Sequence, residues 1–216
     1  MPTKQEIIQT IVDCGIVAIV RLSESSQLDR VGQAIQAGGV NVIEFTMTTP
    51  GALPLIEEWA RRGSGHVLLG AGTVLDPQTA RAAILAGAEF IVSPSLNRGV
   101  VEMCNRYGKA AIPGAFTPTE IVAAMEMGAD LVKLFPASCV GPSYIKAVRG
   151  PLPQARLVPT GGVSLQNAAE FIRAGAAALA VGGELVNSAA VARGDFEAIT
   201  ETARRFREQV LMARKA

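Results

Sequence analysis

Two spacings of apolar residues alternate along this chain. Between residues 4 and 14 the spacing is helical: Ile7, Ile8, Ile11 and Val12 share one face, and Gly15 supplies a stop. Ile16-Val17-Ala18-Ile19-Val20-Arg21 is then a short apolar run closed by a charge, which reads as a strand. A helix is predicted over 26–37, ended by Gly38-Gly39. Val40 to Thr46 is a second strand, with Glu44 inside it, and Pro50 can open a helix over about 50–62 whose Trp59 belongs in the core. Val67 to Thr73 is a third strand. Asp76-Pro77 supplies an N-cap and first helical residue for a helix over 77–86, ended by Gly87.

The alternation continues. Glu89 to Ser93 is the fourth strand, with Pro94 beyond it, and a helix near 98–107 stops at Gly108. Ala110 to Gly114 is the fifth. Thr117-Pro118-Thr119-Glu120 starts a helix that Gly128 ends. Asp130 to Pro136 is the sixth strand, followed by a less regular stretch with a helix around 143–149. Ala155 to Thr160 is the seventh, with a helix over 165–174, and Ala178 to Gly183 is the eighth. An amphipathic C-terminal helix covers about 195–213.

Strands that are apolar on both faces, each followed by a helix, imply a parallel sheet covered by helices. Eight units in 216 residues give about 27 residues each, the scale of one βα repeat. The expected fold is therefore α/β, a (β/α)8 TIM barrel forming a single domain over 1–216. At this length its loops must be short. A doubly wound open sheet is the alternative, but no GxGxxG follows the first strand.

Composition narrows the function classes. A formal net charge of +1 gives no field that would attract nucleic acid or acidic lipid. No apolar run is long enough to span a bilayer, and the N-terminus lacks the apolar centre of a signal peptide. Cys14, Cys104 and Cys139 form no CxxC pair, which fits a reducing, cytoplasmic compartment. His66 is the sole histidine, in an expected loop beside Gly63 and Gly65, and acidic residues are not clustered at ligand spacing. Neither a metal nor a cofactor is expected. Cys139, near the sixth strand, reads as a bystander thiol.

The chemistry lies in charges placed within apolar strands. Lys133 occupies the middle of the sixth strand, on one face with Leu131 and Phe135. Burial disfavours an ammonium, and the neutral amine is a nucleophile toward carbonyls. On this stretch alone, an edge-strand lysine reaching out to water fits equally well. Glu44 shares a face of the second strand with Val42 and Thr46, and Arg21 ends the first. In a barrel all three converge on the opening at the C-terminal ends of the strands. A buried ion network that only fixes register is the structural alternative. Thr160-Gly161-Gly162 ends the seventh strand and Gly182-Gly183 the eighth, where this fold recurrently binds phosphate. Glycines there let backbone N–H groups approach an anion.

Six motifs in this order, IEFTMTTPGAL at 43–53, GAGTVLDP at 70–77, FIVSP at 90–94, IPGAFTPTE at 112–120, LVKLFPAS at 131–138 and VPTGGVS at 158–164, cover most of the chain. They resemble the 2-keto-3-deoxy-6-phosphogluconate (KDPG) aldolase family, also called 4-hydroxy-2-oxoglutarate (KHG) aldolase, which are class I Schiff-base lyases. The resemblance implies that Lys133 forms the imine and Glu44 is the general acid/base. It implies that Thr73, Pro94 and Phe135 line the keto-acid pocket, and that Gly161, Gly162, Gly182 and Gly183 form phosphate loops. Pyruvate and a keto-acid substrate, and assembly as a homotrimer, are implied as well.

Two positions depart from the family's pattern. Some members carry an arginine where this chain has Thr48; others place it at the end of strand one, which assigns the substrate carboxylate to Arg21. Some members carry a serine after the strand-eight glycines, where this chain has Glu184. A carboxylate repels phosphate, so either its side chain turns away or the natural aldehyde is not phosphorylated. Two alternatives to the aldolase stand beside it: a sugar-phosphate isomerase or epimerase, and a non-catalytic trimeric barrel acting as an assembly block or metabolite sensor.

Overall fold

Helix boundaries follow local chemistry. In this computed structural model, which describes residues 2–22, 26–62 and 67–215, Thr3 and Glu6 form a reciprocal capping box that opens α1 (Lys4–Cys14). Gly15, at φ 69°, closes it in the left-handed conformation that glycine adopts without penalty. Thr117 and Glu120 form a second box ahead of α6 (Pro118–Glu126). The Asp76 carboxylate accepts from the Thr79 backbone N–H at 2.7 Å, ahead of Pro77 in α4 (Pro77–Ala86).

The other helices are α2 (Leu28–Ala37), α3 (Ala52–Arg62), α5 (Arg98–Arg106), α7 (Gly141–Arg149), α8 (Ala168–Arg173), α9 (Ser188–Arg193) and α10 (Phe196–Lys215). The strands are β1 (Ile16–Val20), β2 (Val42–Thr46), β3 (Leu68–Gly72), β4 (Phe90–Val92), β5 (Ala110–Ile112), β6 (Gly114–Ala115), β7 (Val132–Leu134), β8 (Leu157–Pro159) and β9 (Leu179–Val181).

Every residue of β1, β2 and β3 is buried, which accounts for their predominantly apolar sequences and isolates Glu44 within β2. All strand pairs are parallel. Six strands form one sheet in the order β5-β4-β3-β2-β1-β9, so the last strand lies beside the first. Three more form the order β6-β7-β8. An isolated parallel bridge, Thr160 to Ala180, joins the end of β8 to β9. The helices bury one face each: Ile7, Ile8 and Ile11 of α1, or Ile199, Ala203, Phe206 and Val210 of α10, which packs on α2 and α8. Each large apolar side chain buried this way contributes roughly 1.5–3 kcal/mol.

The structure differs from the sequence reading in three respects. The expected fifth strand is divided into β5 and β6 by Pro113, which has no N–H to give to the ladder. The fourth, sixth, seventh and eighth predicted strands shorten to three residues each. A 3-10 turn at Ala137–Cys139 and the short helix α9 were not anticipated. His66, expected in a loop, lies outside the described residues.

Candidate active site

Parallel strands deliver their C-terminal ends to one side of the molecule, and there they surround a cavity of about 500 Å³. Glu44 reaches it from β2 and Lys133 from β7. Arg21, Thr73, Pro94 and Phe135 follow directly on or just beyond the ends of β1, β3, β4 and β7. Thr160, Gly161 and Gly162 follow β8, and Gly182 and Gly183 follow β9. All eleven residues singled out from the sequence line this one space. Ile19, Val163, Ala180, Glu184, Val186, Asn187 and Ser188 complete it.

Lys133 is 5 % exposed and Glu44 1 %. The edge-strand reading of Lys133 is therefore wrong: β7 lies between β6 and β8, and the side chain is enclosed. Burial lowers the Lys133 amine from its ordinary pKa; the Glu44 charge opposes that shift and Arg21 adds to it. Burial pushes Glu44 up to about 7, against the pull of Lys133 and Arg21. Desolvation thus moves both groups toward their neutral forms. Among the described residues they make no direct ion pair. The Glu44 Oε2 atom is buried with no hydrogen-bond partner, leaving an acceptor available inside the cavity.

Space for the carboxylate comes from the neighbouring strand. Glu44 pairs with Gly70, and Thr46 with Gly72. A Cβ on Gly72 would collide with Glu44 Oε1, and a Cβ on Gly70 with the Phe90 ring. The Leu-Leu-Gly-Ala-Gly sequence of β3 keeps these places open. Thr73 follows at φ 57°, the one non-glycine residue with positive φ among those described. For a β-branched residue this is strained, and strain of this kind gathers at functional sites.

Arg21 is exposed at the rim, and its chain is held from below. The Leu22 N–H donates to Thr49 Oγ1 at 3.2 Å, and buried Thr49 lies 3.1 Å from the hydroxyl of buried Thr46 on β2. Thr48 is also in reach of Thr46, at 3.1 Å. Lys133 Nζ stands 4.9 Å from the centroid of the Phe135 ring.

At the glycine loops, Gly161 and Gly162 have φ 85° and 74°. A Cβ on Gly162 would meet Ser138 at 2.7 Å, so both conformation and space require glycine. Asn187 caps α9, its Oδ1 accepting from Ala189 and Ala190 at 2.9 and 3.1 Å. Asn187 and Ser188 were missed in the sequence. The Asn-Ser pair at 187–188 is an N-cap signal, but the intervening Glu184-Leu185-Val186 reads as a continuation of the strand. Among the described residues no three His, Cys, Asp or Glu side chains are grouped to hold a metal ion.

Residues 7–202 match the family model for KDPG and KHG aldolases. The 2-dehydro-3-deoxy-phosphogluconate aldolase of Treponema pallidum is 38 % identical over 187 residues, covering 86 % of this chain and 88 % of the relative. The KHG/KDPG aldolase of Escherichia coli is 34 % identical over 191 residues, 88 % of this chain and 89 % of the relative. Among solved structures, the KDPG aldolase of Legionella pneumophila, with pyruvate captured at low pH as a covalent carbinolamine intermediate, superposes with a TM-score of 0.85 at 28 % identity, covering 92 % of this chain and 96 % of that one.

Proposed function

The chain belongs to the KDPG and KHG aldolase family, and from that premise we propose how its own residues perform the reaction. The enzyme is a pyruvate-dependent class I aldolase that cleaves a 2-keto-3-deoxy-4-hydroxy acid. For 2-keto-3-deoxy-6-phosphogluconate the products are pyruvate and glyceraldehyde 3-phosphate; for 4-hydroxy-2-oxoglutarate they are pyruvate and glyoxylate. No cofactor takes part.

Arg21 binds the substrate carboxylate, and Thr73, Pro94 and Phe135 confine the keto-acid end. The neutral Lys133 amine adds to the C2 ketone to give a carbinolamine, whose hydroxyl takes the proton of Glu44 and leaves as water, giving an iminium and the Glu44 carboxylate. Glu44, as carboxylate, takes the proton of the C4 hydroxyl. The C3–C4 bond breaks, its electron pair passes into the iminium, and the aldehyde departs from an enamine. Glu44 returns the proton to C3, and water hydrolyses the resulting iminium to pyruvate and free Lys133. Gly161, Gly162, Gly182 and Gly183, with Thr160, hold the far end of the substrate through their backbone.

One observation carries this reading: a desolvated amine and a desolvated carboxylate face the same cavity, each shifted toward its neutral form. Borohydride reduction in the presence of pyruvate, followed by intact-mass measurement and peptide mapping, tests it. The expected result is one stable adduct, on Lys133, absent from Lys133→Ala. A folded protein that forms no adduct, or an active Lys133→Ala variant, would overturn the mechanism.

We infer further that the two sheets form one closed (β/α)8 barrel and a single domain. The Thr160–Ala180 bridge at one seam, and the single residue Pro113 between β5 and β6 at the other, support closure. A cytoplasmic homotrimer is proposed with it. Exposed Leu85, which lines a surface cleft with Leu53, Pro54 and Ala82, offers apolar surface for assembly, and Leu75 is exposed as well. Among the described residues no helix is long and apolar enough to cross a membrane.

A further inference from the structure

Four charged side chains are among the residues that line the cavity: Arg21, Lys133, Glu44 and Glu184. The mechanism above engages the first three, Arg21 on the carboxylate, Lys133 in the imine and Glu44 as proton carrier. Glu184 remains. It follows Gly182-Gly183 at the end of β9, and the Thr160–Ala180 bridge sets that loop beside Gly161-Gly162 at the end of β8. Among the described residues Glu184 has no ion-pair partner.

The neighbouring donors are largely occupied. The Ala189 and Ala190 N–H groups at the start of α9 donate to Asn187 Oδ1, and Ser164 N–H donates to Asn167 Oδ1 at 2.9 Å. The Leu185 and Val186 N–H groups donate to the Gly182 carbonyl at 2.9 and 2.8 Å. A phosphate dianion only accepts hydrogen bonds, and here it would bring its charge against a carboxylate with no further lining cation to balance it. Sugar hydroxyls carry no charge and donate to a carboxylate. The glycine N–H groups can serve a hydroxyl oxygen as well as a phosphate oxygen.

We propose that Glu184 is a specificity-determining residue that selects an uncharged, hydroxylated aldehyde at the far end of the cavity and disfavours a phosphate ester. The inference rests on the aldolase reading. It makes 2-keto-3-deoxygluconate, or an acid of the same neutral-tailed class, a better substrate than its 6-phosphate.

The test compares kcat/KM for 2-keto-3-deoxygluconate and its 6-phosphate, read by pyruvate release, in the wild-type protein and in Glu184→Gln. The wild-type protein is expected to favour the unphosphorylated acid. Glu184→Gln is expected to raise the ratio of phosphorylated to unphosphorylated kcat/KM at least tenfold. Added salt should raise the same ratio in the wild-type protein, because it screens the repulsion. A ratio that Gln leaves within threefold overturns the assignment to Glu184. A wild-type preference for the phosphate ester overturns the substrate class, as does cleavage of neither acid by a protein that still traps pyruvate on Lys133. A protein that traps no pyruvate and cleaves neither acid instead fails the aldolase reading, and this inference falls with it.

Discussion

Glu44 carries two linked consequences of burial. Its carboxyl is pushed from an ordinary 4.5 up to about 7, so as the proposed base it is half-protonated near neutrality. The kcat/KM for cleavage should therefore rise with pH along an acid limb centred near 7. Glu44→Gln should lose that limb and fall by about 10²–10⁴-fold in kcat, measured as a pH–rate profile. Stability moves the opposite way. A raised folded pKa means the native state holds its proton more tightly than the unfolded chain. This contribution is fully present below pH 4.5 and is lost as pH rises through about 7. Relative to Glu44→Gln, the wild-type protein should lose on the order of 3 kcal/mol across that window, read from urea unfolding at several pH values.

At the scale of the element, β3 shows how one strand serves another. Its sequence reads as an ordinary apolar strand weakened by two glycines, yet Gly70 and Gly72 leave the space that Phe90 and the Glu44 carboxylate fill. Gly72→Ala should keep the fold, because the atom it meets is the far end of a side chain. It should displace the carboxylate, and we expect about a 100-fold loss of kcat with little change in melting temperature. A variant that keeps full kcat would show that the Glu44 position is not constrained from β3. The Thr46–Thr49–Leu22 hydrogen bonds work similarly on Arg21, since they fix the backbone beside it and not the guanidinium itself.

Across the whole molecule, chemistry and stability separate to opposite ends of the strands. Asp130 and Lys133 sit only three residues apart, roughly 10 Å along an extended chain. Lys133 enters the cavity, while Asp130 accepts from the Ala111 N–H at 2.9 Å and pairs with Lys4 of α1 at 2.9 Å. Nearby, buried Lys109 pairs with Glu89, joining the starts of β5 and β4. Lys109→Met leaves Glu89 without its partner in a site that is 15 % exposed. It should cost about 3 kcal/mol in urea unfolding at unchanged m, and the added Glu89→Gln change should recover most of that loss. An unchanged urea midpoint in the single variant would remove this pair from the forces that hold the strand starts together.

The order and type of nearly every element are legible in the amino-acid sequence, because each strand is a predominantly apolar run and most helices carry an explicit stop or cap. The sequence also determined which residues meet: Arg21, Glu44 and Lys133 stand out as charges in apolar strands, and parallel strands must bring their ends to one side. Three things were decided only in three dimensions. The break at Pro113 depends on a ladder that needs an N–H there. Helix α9 depends on Asn187 turning back to cap it, which the apolar run before it conceals. The proton affinities of Lys133 and Glu44 depend on how completely neighbouring strands exclude water. Local spacing can place a charge on a strand face, but desolvation is set by every element packed around it, and that is fixed only when the strands assemble.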